Sequence, residues 1–210
     1  MNNRIFKKIL SIALATTLLV APVLTAGATT DTSEPARQEE FDPFKEAVSA
    51  SGPIRLGSTI FKPDIAGKIM ITKGTKLTGM AVRNSAATIS SNAGLTKTER
   101  PYFTAYTLTP KTSGAVYDSF NGAAAAVGGR VLGGFNANLS KIEAGKRTNL
   151  SEDVKTPLTV GVENKEGLTL EVAKVVSGGE TTILEDQDTD PNTVTFDVSG
   201  GDAAYAVIGY

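Results

Sequence analysis

The feature that most constrains this chain is strict two-residue alternation in its last third. In Thr193-Val194-Thr195-Phe196-Asp197-Val198, Val194, Phe196 and Val198 fall on one side of an extended backbone and the polar residues on the other. Helical periodicity cannot produce that pattern, so the segment predicts a strand with one buried face. Thr181 to Leu184 leads into an acidic loop from Glu185 to Asn192. Ser199-Gly200-Gly201-Asp202 then turns the chain into a final β-rich run, Ala203 to Tyr210. Residues 171–210 therefore read as a meander of antiparallel strands.

The same signals extend upstream. Leu158, Val160 and Val162 alternate, Glu163 to Gly167 turns the chain, and Leu168, Leu170 and Val172 line the next face. Ser177-Gly178-Gly179-Glu180 predicts a hairpin, Val131 to Lys141 a strand, and Ala144 to Arg147 a turn. From Gly133 onward there are roughly six strands at about 8–12-residue spacing, the pattern of a β-sandwich.

The first half is less regular. Ile54 to Phe61 alternates loosely, and Lys73-Gly74-Thr75 reads as a hairpin turn between strands over 68–72 and 76–82. Ser85 to Thr98 is polar, with room for one or two short strands. Tyr102 to Leu108 is a strand bounded by Pro101 and Pro110, and Tyr102, Thr104 and Tyr106 share one of its faces. A tyrosine pair so placed either contacts a sugar ring or covers an exposed sheet. Gly114 to Val127 changes period: Val116, Phe120, Ala123, Ala124 and Val127 recur at helical spacing, with Ser113 positioned to cap. The glycines from 128 to 134 follow this helix and match neither phosphate-loop nor dinucleotide-binding spacing, so they predict a helix C-cap and close packing of the next strand.

The N-terminus is of another kind. Arg4, Lys7 and Lys8 precede an apolar run from Ile9 to Leu24, broken by Pro22 and followed by Ala26-Gly27-Ala28. Residues 1–28 thus read as a secretory signal peptide, with an uncleaved membrane anchor as the alternative. Residues 29–51 read as a flexible acidic tether with a short helix opening at Asp42-Pro43. Residues 52–210 form the β body, with a possible internal boundary near 110–130. No sortase-type signal or apolar C-terminal tail is apparent, so the expectation is a protein released, or held noncovalently at the surface, unless the leader stays in place.

Composition narrows the chemistry. The chain has no cysteine, histidine or tryptophan, which removes disulfides, thiolate metal sites, a Ser-His-Asp triad and the usual general base near neutral pH. No serine opens an S-x-x-K sequence. Removing Arg4, Lys7 and Lys8 from a chain of net charge -1 leaves about -4, which gives no electrostatic basis for nucleic-acid binding.

The series Phe135-Asn136-Ala137-Asn138-Leu139, Pro157 to Val162, Ile183-Leu184-Glu185-Asp186, Thr195-Phe196 and Ala204-Tyr205-Ala206-Val207 resembles an Ig-like β-sandwich module frequent in secreted and cell-wall proteins of Firmicutes. It covers roughly the last 80 residues. The chain departs from that pattern at Ser177-Gly178-Gly179, where a His-Asp-Gly turn is often seen, and at Asp202-Ala203-Ala204, in place of Phe-Ser-Thr. The resemblance implies an antiparallel sandwich, one short helix before the C-terminal strands, and an extracellular, Gram-positive, non-enzymatic setting. It supplies no ligand and no catalytic residue.

One polar constellation stands out. Asp186, Asp188 and Asp190 have the D-x-D-x-D spacing of a calcium loop, with Asn192 at position seven and Asp197 at position twelve. Pro191 occupies the position where an EF-hand needs glycine, and no helices flank the loop. The alternatives are a calcium site and a solvated hairpin loop shaped by Asp190-Pro191-Asn192. Three functions follow as expectations: a non-enzymatic structural or binding module for cell-wall or host extracellular glycan or protein, a calcium-stabilised adhesion module, or a carboxylate-dependent glycosidase or wall hydrolase.

Overall fold

The computed structural model describes residues 48–210. The signal peptide, nearly all of the tether and the short helix expected to open at Asp42 lie outside the described residues. The rest is mainly β: β1 (Val48–Ser49), β2 (Ile54–Leu56), β3 (Thr59–Phe61), β4 (Ala66–Met70), β5 (Leu77–Val82), α1 (Ala86–Asn92), β6 (Arg100–Leu108), α2 (Gly114–Ala126), β7 (Arg130–Glu143), β8 (Lys146–Asn149), β9 (Lys155–Val162), β10 (Leu170–Val175), β11 (Thr181–Glu185), β12 (Thr193–Ser199) and β13 (Gly201–Gly209).

These strands form three sheets. The largest has the order β1-β4-β6-β7-β13-β10-β11, with β8 paired to β7; a second has the order β12-β9-β5; β2 and β3 form a separate hairpin. Pairing is antiparallel throughout except between β4 and β6, which run parallel. Parallel neighbours need a crossover connection, and here the chain supplies one by leaving the large sheet to build β5 and α1 before returning. The large sheet is therefore mixed rather than wholly antiparallel.

The alternating positions meet in a core between the two larger sheets. Val194, Phe196 and Val198 of β12 and Leu158, Val160 and Val162 of β9 pack against Phe103, Phe135, Val172 and Tyr205 of the large sheet. Three rings tie the layers together: Tyr205 lies 5.6 Å from Phe135 and 5.4 Å from Phe196, centroid to centroid. Each ring is fully buried, and truncating one to alanine costs about 3–5 kcal/mol in such a setting.

A second apolar cluster lies on the opposite face of the large sheet, under α2. Tyr117, Phe120, Ala123 and Ala124 pack on Leu108, Ala173, Val175, Ala204, Ala206 and Ile208. The strand β13 is thus covered on both sides, with Ala203, Tyr205 and Val207 toward one cluster and Ala204, Ala206 and Ile208 toward the other. This explains why its sequence is continuously apolar whereas that of β12 alternates. The helix ends as the glycines predict: the Gly129 N–H bonds Ala124 O (2.8 Å) and the Gly128 N–H bonds Ala125 O (3.1 Å), with Gly128 at φ 71°, a Schellman ending. Gly134 lets the helix approach, since a Cβ there would meet the Phe120 ring at 2.9 Å. Tyr117 pins the contact by donating to Leu108 O (2.9 Å) and accepting from the Gly134 N–H (3.2 Å). Ser113 makes no side-chain cap to this helix.

Several local expectations change. Residues 86–92 form α1 instead of a strand; Ser85 caps it by accepting from the Thr88 N–H (3.1 Å), and Ile89 is its buried anchor. Among the described residues there are thus two helices where the sequence suggested one. The turn at Lys73 to Thr75 joins no hairpin, because β4 lies in the large sheet and β5 in the small one. Nor do residues 171–210 form a simple meander. The strands β10 and β11 pair as a hairpin, β12 crosses to β9, and β13 returns to lie between β7 and β10. A turn signal reverses the chain; sheet membership is set by which apolar face each strand buries.

Candidate functional site

The acidic loop connects β11 to β12 and folds back on itself through its own carboxylates. Asp186 Oδ1 accepts from the N–H groups of Asp188 (3.0 Å) and Thr195 (2.9 Å). Asp188 accepts from the Asp190 N–H (3.0 Å), from the Thr193 hydroxyl on both oxygens (3.1 and 3.0 Å) and from the Thr195 hydroxyl (2.6 Å). Asp190 accepts from the Asn192 N–H (2.9 Å) and from the N–H (2.8 Å) and hydroxyl (2.7 Å) of Ser58. The D-x-D-x-D spacing thus makes three successive side-chain turns, each carboxylate bonding the N–H two residues on. The last reaches across to the β2–β3 hairpin and ties it to the body.

Electrostatics follow this wiring. Burial pushes the Asp186 carboxyl up, partly offset by the N–H groups of Thr195 and Asp188. The Ser58 N–H, then the Asn192 N–H and the Ser58 hydroxyl, hold Asp190 below the ordinary range. Asn192 enters this wiring through its backbone N–H on Asp190. Asp197 is exposed on β12, away from this wiring. Among the described residues no three acidic side chains converge as a metal-holding group.

Between the loop and the β2–β3 hairpin lies an open groove of about 590 Å³, bordered by Ser58, Phe61, Arg83, Asp188 and Thr193. The Arg83 guanidinium sits 4.8 Å from the centre of the Phe61 ring and donates to Thr159 Oγ1 (3.3 Å). Thr159 bonds the Thr195 hydroxyl (2.7 Å), which donates to Asp188. A cation and a carboxylate are therefore joined through two buried hydroxyls.

A second surface lies on the outer side of the large sheet. The helix α2 covers that side as far as Leu108, Gly134 and Ala204. Beyond it the register aligns Tyr106 with Asn136, Thr104 with Asn138 and Tyr102 with Ser140, while Asp202 stands opposite Asn138 on the other flank. Lys68 and Met70 of β4 continue the rows beside Thr104 and Tyr106. The two tyrosines are four residues apart on one strand, about 13 Å, and Tyr106 is 41% exposed. Burial and, to a lesser degree, the Asp202 carboxylate push the Tyr106 phenol up.

At the centre of this face the Asn138 side chain is only 5% exposed. Its Nδ2 donates to Asn149 Oδ1 (2.9 Å), while its own Oδ1 has no partner, an arrangement that costs about 1–3 kcal/mol for a buried acceptor. Arg147 of β8 donates to Thr104 Oγ1 of β6 (3.4 Å). Since β7 lies between those strands, the arginine arm passes over it beside Asn138. The sequence placed Tyr102, Thr104 and Tyr106 on one face. It did not single out Asn136, Asn138 and Ser140, although their alternation with Phe135, Ala137 and Leu139 carried that signal. Arg147 arrives by the local β7–β8 hairpin, opposite Ile142, but its bond to Thr104 and the pairing of Asp202 with Asn138 are remote in sequence.

Comparison with protein-family models, with curated proteins and with solved structures gives no match to this chain.

Proposed function

We propose that this chain is an extracellular, non-enzymatic binding module of the Ig-like β-sandwich kind, akin to modules of secreted and cell-wall proteins of Gram-positive bacteria. The observation that carries the reading is the uncovered outer face of the large sheet. It presents Tyr102, Thr104, Tyr106, Asn136 and Asp202 on strands locked by two apolar clusters. A rigid sheet holding aromatic and amide groups in fixed register suits recognition. The basic, apolar and small-residue order of residues 1–28 supports export, and the two layers facing each other across the Phe135–Tyr205–Phe196 rings support the sandwich reading.

The partner class is a cell-wall or host extracellular glycan or protein. The test is a pull-down of the mature chain (residues 29–210) on purified cell walls, host glycans and extracellular matrix proteins. Saturable retention is expected on at least one of them, and its absence from all overturns the reading. Release of reducing sugar from purified wall or mucin glycan would replace it with the glycosidase alternative.

A further inference from the structure

We infer that the outer face of the large sheet takes a neutral, hydroxyl-rich glycan, with Asn138 as its buried anchor and Arg147 as an arm the ligand displaces. This rests on the binding-module reading above and assigns its ligand chemistry and contact residues.

The argument starts from the unpartnered Asn138 Oδ1. Asn138 points to the outer side of β7, between Thr104 and Asp202, and its amide nitrogen is already committed to Asn149. What the site lacks is a donor. The covering Arg147 does not supply one where it lies: it bonds Thr104 instead, at a long 3.4 Å, and a bond of that length is readily given up. Moving this exposed arm aside opens the carbonyl and leaves a guanidinium with free N–H groups beside it. The complementary ligand therefore donates one hydroxyl and accepts at a neighbouring oxygen. Adjacent hydroxyls on a sugar ring do both. Tyr106, next but one along the face, offers an exposed ring for the apolar side of a sugar.

Charge selects among ligands. The face sets Lys68, Arg100 and Arg147 against Asp202, so it has no single sign. A phosphate-rich polymer needs clustered cations, whereas the anchor's own row, Lys68-Thr104-Asn138-Asp202, holds one cation and one carboxylate, and the strand positions of Arg100 and Arg147 lie two rows away at Ile142. A protein partner of ordinary affinity needs a buried apolar or aromatic centre. Of the four large apolar or aromatic side chains that are well exposed among the described residues, only Tyr106 lies within this face; Val48 is at the sheet edge, and Ile60 and Tyr210 are elsewhere.

The experiment is isothermal titration of the mature chain with neutral oligosaccharides from two sources, wall glycan strands and host mucin glycans, alongside heparin as a charged control. Binding to at least one neutral set is expected, with at least tenfold loss in Asn138→Leu and in Tyr106→Ala. Tyr106 is exposed, so its variant tests the face even if the asparagine variant folds poorly. Wild-type binding that both variants retain overturns this assignment and leaves the module reading standing, as does binding to heparin alone or to a matrix protein alone. No binding to any wall, glycan or matrix preparation overturns both.

Discussion

Truncating Asp188 to alanine removes the centre of the acidic loop's wiring and gives the sharpest test of what that loop does. Three donors lose their acceptor: the Asp190 N–H, the Thr193 hydroxyl and the Thr195 hydroxyl. Thr193 and Thr195 are 3% and 5% exposed, so water replaces the carboxylate poorly at two of the three. A hydrogen bond to a charged acceptor contributes about 1.5–3 kcal/mol when shielded. Asp188 itself is half-exposed, and about 1 kcal/mol per donor is the better figure, for a loss of about 3 kcal/mol. In a domain of this size that lowers Tm by roughly 6–12 °C. Thr195→Val removes the shortest of the bonds while keeping the shape, and should cost about 1–2 kcal/mol. Because both variants delete one shared bond, the double variant should be less destabilised than the sum by about 1 kcal/mol. The assay is urea and thermal unfolding of all four proteins, in chelator and in millimolar calcium. A loss below about 0.5 kcal/mol for Asp188→Ala, or strict additivity with Thr195→Val, refutes the staple. So does a rise of several degrees in the wild type with calcium, because the staple already occupies both oxygens of Asp188 and of Asp190 with the protein's own donors.

Two further outcomes follow from geometry. Lys141 lies against Glu99, and its hydrogen bond, with help from the Thr96 N–H, holds that carboxyl down to about 2. A depressed carboxyl adds stability that is present above its unfolded value and lost as pH falls through the folded one. Glu99→Gln should therefore flatten the acid limb of the Tm–pH curve between about 4.5 and about 2, and an unchanged limb counts against the pair. Gly134→Ala places a methyl 2.9 Å from the Phe120 ring and 3.2 Å from the Tyr117 hydroxyl, so it should cost about 1–3 kcal/mol by overpacking; an unchanged urea midpoint would mean that α2 does not sit this close.

The parts of this protein legible in its sequence are those set by neighbours a few residues apart. Alternation in β12 assigned Val194, Phe196 and Val198 to the interior, because side chains on an extended backbone point alternately to either side whatever they pair with. The 3.6-residue period found α2, and Gly128 marked its end, since a left-handed residue there is nearly free only for glycine. Tyr102, Thr104 and Tyr106 could be placed on one face for the same local reason. The acidic spacing was also legible as a turn-forming pattern, but its partners were not: Ser58 is 132 residues from Asp190, and no local rule connects them.

What only the tertiary structure decided is which strands pair and what covers each face. Turn residues at Lys73 to Thr75 and Ser199 to Asp202 reverse the chain equally well within a sheet or between sheets. The choice falls to burial: each strand joins the layer in which its apolar side meets the shared core, and that free energy is gathered from residues far apart in the chain. The parallel contact of β4 with β6 and the arm of Arg147 over β7 follow from the same non-local packing. The alternating stretch from Thr193 to Val198 determined its own inner face from sequence. That its outer face would anchor a carboxylate staple through Thr193 and Thr195 became visible only when the loop, the hairpin at Ser58 and the strand β9 were brought together in space.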